Sequence, residues 1–257
     1  MAGVNPFDIS GRTGVIIGGT SGIGRAIALG LADAGANVVA CGRRSAETVT
    51  EEIRAKGVRT LEITCDVSDR ASIDALRDAV LAEFGGVDIL VNCAGRTFRK
   101  PTAEVSEEDW SSLLDTNLTG ILRACQAFYE PLKASGRGRI VNIASLTSFV
   151  AFHEVAAYGA SKAAVLALTQ TLGCEWAKDG IRTNAIVPGV FVTDINRALL
   201  DGTGRGQELR IRTPLGRFGE ASELVPAALF LCSDAVSFIT GTSITVDGGF
   251  LASGVNQ

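Results

Sequence analysis

The sequence is short of the residues from which several classes of active site are built. It has one histidine, His153, among 257 residues. A single imidazole excludes a zinc site made from several histidines, and any Ser-His-Asp triad would have to use His153. An excess of positive charge is also missing, because 28 acidic residues face 24 basic ones and the net charge is −4. We therefore expect no nucleic-acid partner.

Long hydrophobic runs and paired cysteines are absent as well. The longest uncharged stretch, residues 140–153, is too short to cross a bilayer and includes several polar residues. The first residues, MAGVNPFD, show neither the basic nor the apolar segment of a secretory signal. The six cysteines are scattered without a C-x-x-C pair, which is typical of reduced thiols. We expect a cytoplasmic protein with no membrane partner.

Short apolar segments alternate with longer amphipathic ones along the chain. Strand candidates are residues 14–18, 37–41, 61–65, 88–92, 139–144, 182–187 and 243–246. Helices are predicted at 23–34, 46–56, 70–84, 107–132 and 157–178. This alternation predicts an α/β protein, one domain over residues 1–257 with a doubly wound parallel sheet. The irregular insertion at 193–212 is predicted to be a short lid over the ligand site.

A glycine-rich turn follows the first predicted strand and precedes the first predicted helix. It reads GGTSGIG over residues 18–24, which differs in spacing from the common G-x-G-x-x-G. Glycines there allow a sharp turn and a close approach of a phosphate to the helix N-terminus. An ordinary glycine-rich turn is the alternative, but the position between strand and helix favours a dinucleotide. The predicted phosphate-binding residues are Gly18, Thr20, Ser21, Gly22, Ile23 and Gly24.

The end of the second predicted strand bears on the choice between NAD and NADP. No carboxylate is present there to bind a ribose 2′-hydroxyl, and Arg43 and Arg44 follow instead. Two guanidinium groups can pair with a 2′-phosphate, although a solvated arginine pair would look the same in sequence. We expect NADP(H) as the preferred cofactor, with NAD(H) possible. Asp66 and Val67 are placed to meet the adenine, unless Asp66 is only a turn cap.

Tyr158 and Lys162 are four residues apart in a predicted helix, so both project from one face. Such a pair is frequent by chance, but an ammonium group near a phenol lowers the phenol pKa and suits it for acid/base catalysis. Ser145 ends the fifth predicted strand, where its hydroxyl can hold a carbonyl oxygen. Asn117 falls within a predicted helix, where asparagine is unfavourable and a partner for its side chain is expected.

These motifs, in this order, resemble the short-chain dehydrogenase/reductase family over essentially the whole chain. The matching motifs are the glycine turn, Asp66, NCAG at 92–95, Asn117, Ser145, Tyr158 with Lys162, Pro188-Gly189 with Thr193, and VDGG at 246–249. The resemblance implies a Rossmann-like fold and an NADP(H)-dependent oxidoreductase that interconverts a ketone and a secondary alcohol. Any one motif is weak, but their shared order makes coincidence very improbable.

The resemblance also implies a role for each matching residue. Tyr158 would give a proton to a carbonyl oxygen bound by Ser145, while NADPH delivers hydride to the carbon. Lys162 would lower the pKa of Tyr158 and hold the nicotinamide ribose, and Asn117 would anchor a proton-relaying water. The other residues implied to bind the cofactor are Asn92, Ala94, Gly95, Pro188, Gly189 and Thr193.

Two positions depart from the family pattern. The threonine expected before the first glycine is Ile17, and the expected N-N-A-G contains Cys93. Both lie in structural motifs, so the departures affect local hydrogen bonding more than catalysis. Cys93 is expected to be a small buried apolar residue rather than a reactive thiol.

Three cations, Arg96, Arg99 and Lys100, follow the fourth predicted strand. They can hold the carboxylate of a keto-sugar acid, and a solvated charge cluster is the equal alternative. This run, with the segments at 213–219 and 246–250, resembles the gluconate 5-dehydrogenase and 2-deoxy-D-gluconate 3-dehydrogenase members of the family. A keto-sugar acid or polyol is therefore the expected substrate. The predicted substrate-binding residues are Arg96, Arg99, Ser145, His153 and Tyr158.

Two other functions stay open. Phe149 and Phe152 make the predicted mouth of the site partly apolar, which suits a 3-oxoacyl-[acyl-carrier-protein] reductase or a broad carbonyl reductase. A non-catalytic dinucleotide-binding sensor is the alternative from another class. The presence of Ser145, Tyr158 and Lys162 together argues against a sensor, since a pure binding protein does not need all three.

Self-association is implied by the family, whose members commonly pair two long helices into dimers and tetramers. We therefore expect a homotetramer or homodimer formed by the helices predicted at 107–132 and 157–178. Their apolar residues could equally belong to the core; examples are Leu113, Leu114, Leu118, Val165 and Leu168.

Overall fold

A six-stranded parallel sheet forms the centre of the computed structural model, which describes residues 5–193, 200 and 202–256. In space the strands lie in the order β2-β1-β3-β4-β5-β6. Because β1 has β2 on one side and β3 on the other, the winding of the chain reverses there. The crevice at the carboxyl ends of β1 and β3 is thus the topological switch point, where such sheets bind ligands. The strands are β1 (Thr13–Ile17), β2 (Asn37–Cys41), β3 (Ile89–Asn92), β4 (Arg139–Ile143), β5 (Arg182–Pro188) and β6 (Ser243–Val246).

Helices cover both faces of the sheet. The α-helices of the described residues are α1 (Gly22–Asp33), α2 (Glu47–Arg54), α3 (Arg70–Phe84), α4 (Glu107–Leu114), α5 (Gly120–Ala134), α6 (Ala156–Glu175), α7 (Gly204–Ile211) and α8 (Val225–Cys232). Successive residues of β1 point to opposite faces, so Val15 and Ile17 pack with α3, α5 and α6. Ile16 packs on the other face with α1, α2 and α8. The result is the three-layer α/β architecture predicted from the sequence.

Local sequence signals explain where several helices begin and end. Asp69 caps α3 by accepting a hydrogen bond from the amide of Ala71 at 2.9 Å. Gly85 ends the same helix with a left-handed φ of 78°. Ser106 caps α4 through the amide of Asp109 at 3.1 Å. These signals make the predicted bounds of α3 match the observed ones.

Two predicted elements differ from the structure. Residues 61–65 form no strand, because the backbone bonds to the region of β2 only before them and at their last residue: Val38 N–H donates to the carbonyl of Arg59 at 3.1 Å, and Cys65 N–H donates to that of Gly42 at 2.9 Å. The single helix predicted at 107–132 is wrong in detail. It is interrupted by a π-helical turn, Asp115–Thr119, which joins α4 to α5.

The amino-terminal end of the sheet holds buried arginines. Arg12 is 2% exposed and Arg139 5% exposed. Both guanidinium groups pair with Asp234, at 2.6 Å and 3.1 Å. They also donate to the backbone carbonyls of Cys232 and Ser233, each at 3.1 Å. The charges at this end are therefore satisfied within the chain.

The apolar residues considered for self-association differ in burial: some are fully buried within the chain and the others are half-buried. Leu113 and Val165 are fully buried in the chain, so they belong to the core rather than to an exposed face. Of the six cysteines, Cys174 is exposed on α6, whereas Cys93 is half-buried and the others are buried. Across the described part of the chain, every helix falls short of the length and apolarity that a membrane crossing needs.

Candidate active site

The glycine turn joins β1 to α1 in a conformation that side chains would not allow. Gly18 has φ +87° and Gly22 has φ +51°, both in the left-handed region. A β-carbon on Gly18 would lie 2.4 Å from the amide nitrogen of Ala94, and one on Gly24 would lie 2.0 Å from the carbonyl oxygen of Gly18. The fold thus requires glycine at these positions, whatever the ligand.

The amino terminus of α1 is open to an anion. Among the described residues, Ser21 makes no capping hydrogen bond with its side chain, and the first turn of α1 carries no acidic residue. Asp69 and Ser106, by contrast, cap their helices with their own side chains. Thr20 and Ile23 flank the site and are half-buried. An uncapped helix start beside a parallel strand suits a phosphate, so these residues fit a dinucleotide.

Two exposed guanidinium groups lie next to the glycine turn. The amides of Gly18 and Gly19 donate to the carbonyl of Cys41 at 2.8 Å and 3.0 Å, which binds the turn to the end of β2. Arg43 and Arg44 follow this strand and are both exposed. Neither forms an ion pair with a carboxylate of the described residues. Their charges are thus available to a phosphate, as the sequence predicts.

Asp66 and Val67 lie in a turn beside this site. Asp66 accepts hydrogen bonds from the hydroxyl and amide of Ser68, at 2.6 Å and 2.9 Å. These bonds, assisted by the charge on Arg43, lower the pKa of Asp66. Val67 is buried, and a β-carbon on Gly120 would lie 2.8 Å from it. Asp66 therefore forms the turn that the sequence allows, with a carboxylate that stays half exposed.

Asn92 ends β3, but its side chain is buried and makes its hydrogen bonds within the core. Its amide nitrogen donates to Asn142 at 2.9 Å and lies 3.4 Å from the sulfur of Cys125. Asn142 in turn donates to Thr169 of α6 at 2.9 Å. The side chain of Asn92 thus ties β3 to β4 and α6, whereas Ala94 beside it contacts the glycine turn.

The loop that follows β5 lies over the glycine turn. Pro188 is buried at the strand end, and the amide of Gly189 donates to Val246 at 2.8 Å. A β-carbon on Gly22 would lie 3.5 Å from Cγ2 of Thr193. Two segments predicted to hold the cofactor therefore face each other across the switch point. Of the predicted lid, residues 194–199 and 201 lie outside the described residues.

Tyr158 and Lys162 lie on one face of α6, with Ser145 beside them. Nζ of Lys162 is 5.8 Å from the centroid of the Tyr158 ring and donates to the carbonyl of Ile143 at 2.7 Å. A side-chain hydrogen bond joins Tyr158 to Ser145, which follows β4. The oxygen of Ser145 also accepts from the amide of Thr147 at 3.2 Å. Three predicted catalytic side chains thus meet at the carboxyl end of β4.

Burial acts on both titratable groups of this cluster by disfavouring charge. It raises the pKa of Tyr158 above its ordinary value, with the Ser145 hydrogen bond opposing, and lowers the pKa of Lys162 to about 8. The net shift of Tyr158 is therefore upward here, although the sequence suggests a lowering by Lys162. Burial also raises the pKa of Cys93 to about 11, so this thiol is uncharged.

Asn117 is fully buried in the π-helical turn. Its side chain accepts from the amide of Arg96 at 2.8 Å and donates to the carbonyl of the same residue at 2.9 Å. It also donates to the hydroxyl of Ser161 at 3.2 Å. A β-carbon on Gly95 would lie 3.4 Å from the Asn117 oxygen and 3.7 Å from Nζ of Lys162. The partner expected for this asparagine is thus the loop after β3, next to the lysine, and π turns are frequent at functional sites.

The cations predicted to bind substrate are mostly paired within the chain. Arg99 forms an ion pair with Glu154, and Lys100 pairs with Asp109 at 2.9 Å. Arg96 donates to Ser112 at 3.2 Å and makes no ion pair with the described carboxylates. The free cationic cluster that the sequence suggests is therefore reduced to one unpaired guanidinium. Pairing across distant loops produces this difference.

His153 is not drawn into the site. Its side chain is 86% exposed, and its ring lies 3.8 Å from the carboxylate of Glu154. Its carbonyl accepts a hydrogen bond from Arg205 of α7 at 3.4 Å. The structure therefore places its backbone, but not its ring, against the described part of the predicted lid.

Sequence reasoning missed three residues that shape the site. Ser161 accepts the Asn117 hydrogen bond and donates to the carbonyl of Tyr158 at 2.7 Å. Its position next to Lys162 was the only available signal. Glu154 and Arg205 meet the cationic loop from elsewhere in the chain, and no sequence pattern indicates their contacts.

Comparison with known proteins matches almost the entire chain. A family model described as enoyl-(acyl carrier protein) reductase matches residues 17–251. The D-threitol dehydrogenase of Mycolicibacterium smegmatis is 39% identical over 95% of this chain and 94% of its own length. The 2-dehydro-3-deoxy-D-gluconate 5-dehydrogenase of Escherichia coli is 38% identical over 97% of this chain and 99% of its own.

A solved structure shares the fold as closely. The gluconate 5-dehydrogenase of Burkholderia cenocepacia J2315, in complex with NADP and tartrate, has a TM-score of 0.92 and 38% identity to this chain. The match covers 97% of this chain and 98% of that one. With the family model spanning 17–251 and relatives of such coverage, the chain belongs to the short-chain dehydrogenase/reductase family of oxidoreductases.

Proposed function

We propose that the protein is an NADP(H)-dependent oxidoreductase that interconverts a ketone and a secondary alcohol in a keto-sugar acid or polyol. The observation that carries the proposal is the Ser145–Tyr158–Lys162 cluster at the carboxyl end of β4. It lies on the same edge of the sheet as the glycine turn, and Ala94 and Gly95 join the two, because Ala94 contacts Gly18 and Gly95 lies close to Lys162. Acid/base groups and a dinucleotide cradle on one sheet edge support this reaction class.

The cofactor assignment rests on charge and on relatives. Arg43 and Arg44 are exposed, and no described carboxylate pairs with them, so a 2′-phosphate can pair with both. The gluconate 5-dehydrogenase of Burkholderia cenocepacia was solved with NADP. The glycine turn and the open start of α1 would hold the pyrophosphate, and the loop at 188–193 would contact the nicotinamide end. When bound, NADP(H) supplies the hydride chemistry.

The proton chemistry belongs to the chain's own side chains. Tyr158 is a neutral phenol at pH 7, because burial raises its pKa, and it can therefore donate a proton to a substrate oxygen. Ser145 would bind the same oxygen with its hydroxyl. The ammonium of Lys162 would stabilise the phenolate that remains, since it is 4% exposed and poorly screened by water.

Asn117 has a positioning role in this proposal. It holds the backbone of Arg96 and the hydroxyl of Ser161 at once, and so fixes the loop after β3 against α6. Ser161 also bonds to the carbonyl of Tyr158, so the chain of contacts reaches the tyrosine. An ordered water next to Asn117 and Lys162 would then relay protons towards solvent.

The substrate class is supported by similar proteins and by one exposed cation. Relatives similar to this chain are named for a sugar acid and for a four-carbon polyol. Arg96 is exposed and unpaired among the described carboxylates, at the loop that Asn117 fixes. A polyhydroxylated substrate could hydrogen-bond to this guanidinium with or without a carboxylate.

The test of the proposed reaction is Tyr158→Phe, with Tyr129→Phe as its matched control. The chain has two tyrosines, and Tyr129 bonds to Asp179 at 2.9 Å away from the site. Loss of the proton donor should lower kcat at least about 1,000-fold, whereas Tyr129→Phe should retain activity. NADPH oxidation with 5-keto-D-gluconate and with neutral keto-sugars is the measurement. Hydride transfer that survives unchanged in Tyr158→Phe would refute the assigned acid.

A reductase of acyl thioesters is the second candidate. Phe149 is 55% exposed, and Phe152 packs against Phe250 in a tilted arrangement with ring centroids 5.9 Å apart, so part of the mouth is apolar. Acetoacetyl thioester in the same assay separates the two functions. A sensor would bind NADPH without oxidising it in the presence of any of these ketones.

A further inference from the structure

Glu154 lies where the loop after β3, the segment before α6 and helix α7 come together, and we call these three segments the mouth of the site. It follows the exposed His153 and precedes Tyr158 by four residues, just before α6 begins. Its backbone carbonyl accepts from the amide of Lys100 at 2.9 Å, which joins it to the loop after β3. Its carboxylate forms the ion pair with Arg99. The third segment is α7, where Arg205 bonds to the carbonyl of His153.

The backbone of Glu154 is held in an unfavourable conformation. Its φ of +65° is the only positive φ of a non-glycine residue in the part of the chain that the structure describes. Glutamate gains nothing from the left-handed region, so the surrounding contacts must impose it. The side chain is thereby fixed on Arg99 and is 25% exposed, less than the 40% of Asp109 in the neighbouring ion pair.

A second arginine, Arg205, also interacts electrostatically with the carboxylate of Glu154. Burial lowers the pKa of Arg205, the charge on Arg99 lowers it further, and the charges on Glu154 and Glu208 oppose both. Its guanidinium also lies 6.0 Å from the ring centroid of Phe152. Arg99 and Arg205 thus come from different segments and repel each other, and the charge of Glu154 attracts both of them.

We propose that Glu154 is a specificity-determining residue that neutralises Arg99 and partly offsets the charge of Arg205, and so makes the mouth favour a neutral polyol over a sugar acid. This inference rests on the proposed function and narrows its substrate class. Two arginines from separate loops are the arrangement that binds a carboxylate, and here the chain supplies its own. A substrate carboxylate entering the mouth must either displace Glu154 or lie beside a like charge.

The remaining cations do not restore an anion site. Lys100 is paired with Asp109, which leaves Arg96 as the unpaired cation of this loop among the described residues. A neutral polyol meets no such obstacle, since hydroxyl groups can donate to Glu154 and accept from Arg96. The charge of the substrate, rather than its length, is then what the mouth selects.

The test is Glu154→Gln, which keeps the size of the side chain and removes its charge. Two matched probe pairs differ only in a terminal carboxylate: D-glucitol with D-gluconate, and D-threitol with D-threonate. For the holoenzyme with NADP+, wild type should favour the neutral member of each pair that it oxidises. In Glu154→Gln the ratio of kcat/KM for acid over polyol should rise about tenfold, mostly through KM.

Asp109→Asn is the control for a general change in net charge. It also removes one negative charge from an ion pair of this loop, but it should change the ratio less than twofold. Arg99→Gln combined with Glu154→Gln should abolish most of the gain, because the guanidinium that would bind the carboxylate is gone. An unchanged ratio in Glu154→Gln, or an equal rise in Asp109→Asn, overturns the inference.

Failure of the proposed function gives a different result. Wild type would then oxidise no member of either pair while reducing an acyl thioester, and the inference would fall with it. Oxidation of a polyol by wild type and by Glu154→Gln, with the same acid-to-polyol ratio, contradicts the role of Glu154 alone.

Discussion

The two ends of the sheet hold arginines in opposite circumstances. At the amino end, Arg12 and Arg139 are buried, and each pairs with Asp234 and a backbone carbonyl. At the carboxyl end, Arg43 and Arg44 are exposed and no described carboxylate pairs with them. A buried charge must be paired to be tolerated, whereas an exposed one costs little to leave unpaired. Arginines that the chain does not use for its own stability are therefore the ones open to a ligand.

Arg99, in the mouth of the site, is intermediate between the buried, paired arginines and the exposed, unpaired ones. Arg99 is at the carboxyl end but is paired like the buried arginines, and its side chain is 38% exposed. Position along the strands therefore does not by itself decide availability. Whether an arginine is free to bind a ligand depends on whether another segment of the chain supplies a carboxylate partner for it.

The largest effect on stability should come from Asp234→Ala. The variant leaves two buried guanidinium groups without their carboxylate, and the free energy of unfolding should fall by about 3 kcal/mol. This is the low end of the range for buried pairs, because Asp234 is itself 55% exposed. Urea unfolding measures the loss, and kcat/KM per folded molecule should stay unchanged. A loss below about 1 kcal/mol would mean that water replaces the carboxylate.

Arg43→Ser should weaken the use of NADPH without changing the stability of the protein. Removing an arginine with no carboxylate partner in the described chain should leave the melting temperature unchanged and lower kcat/KM for NADPH about 30-fold, or about 2 kcal/mol. The value for NADH should change less than twofold. Arg54→Ser, at an exposed position in the last turn of α2, is the control. A clear preference of wild type for NADH would contradict the role of Arg43.

Ketone reduction should become slower as pH rises through about 8. Lys162 has a pKa lowered to about 8, so its ammonium is charged below that pH and is lost above it. Tyr158 remains a proton donor over this range, because its pKa is raised. At saturating NADPH, kcat/KM should fall about tenfold between pH 7 and 9. Lys162→Arg, whose charge persists, should lose this decline, and a wild-type profile level to pH 9.5 would exclude Lys162 as its source.

The smallest effect should come from an ion pair that is exposed on both sides. Arg70 pairs with Asp74 one turn along α3 at 3.1 Å, and the two side chains are 48% and 33% exposed. Arg70→Ala should lower the free energy of unfolding by about 0.4 kcal/mol, because solvent screens the pair. Thermal unfolding would detect a shift of a degree or so. If Arg70→Ala lowered the free energy of unfolding as much as Asp234→Ala, burial could not explain why some ion pairs stabilise the protein more than others.

The arrangement of the candidate site could be predicted from sequence where it depends on short spacings. Tyr158 and Lys162 are one helical turn apart, and the glycine turn lies between a strand and a helix, so local geometry fixes both. The end of β2 likewise places Arg43 beside the turn. The doubly wound parallel sheet followed from the alternation of apolar and amphipathic segments, whereas the strand order is seen only in the structure.

The rest could not be predicted because it depends on contacts between distant segments. The partner of Arg99 lies 55 residues further along the chain. The side chain of Asn92 bonds within the core, to a residue 50 positions away, whereas the family resemblance implies that Asn92 binds the cofactor. Residues 61–65 have the composition of a strand, but within them only the backbone of Cys65 bonds to the region of β2. The sign of the pKa shift at Tyr158 depends on burial, which spacing does not reveal.

Because of the π-helical turn, the geometry of the candidate site depends on the number of residues between α4 and α5. Such a turn accommodates one residue more than an α-helical turn, which rotates α5 by about 100° relative to a continuous helix from α4. Deleting one residue from Asp115–Thr119 would allow a regular helix, yet it would turn Asn117 away from Arg96 and Ser161. Helix regularity and site geometry therefore favour different residue counts. The number of residues between α4 and α5 therefore matters to the site as much as the identity of Asn117 does.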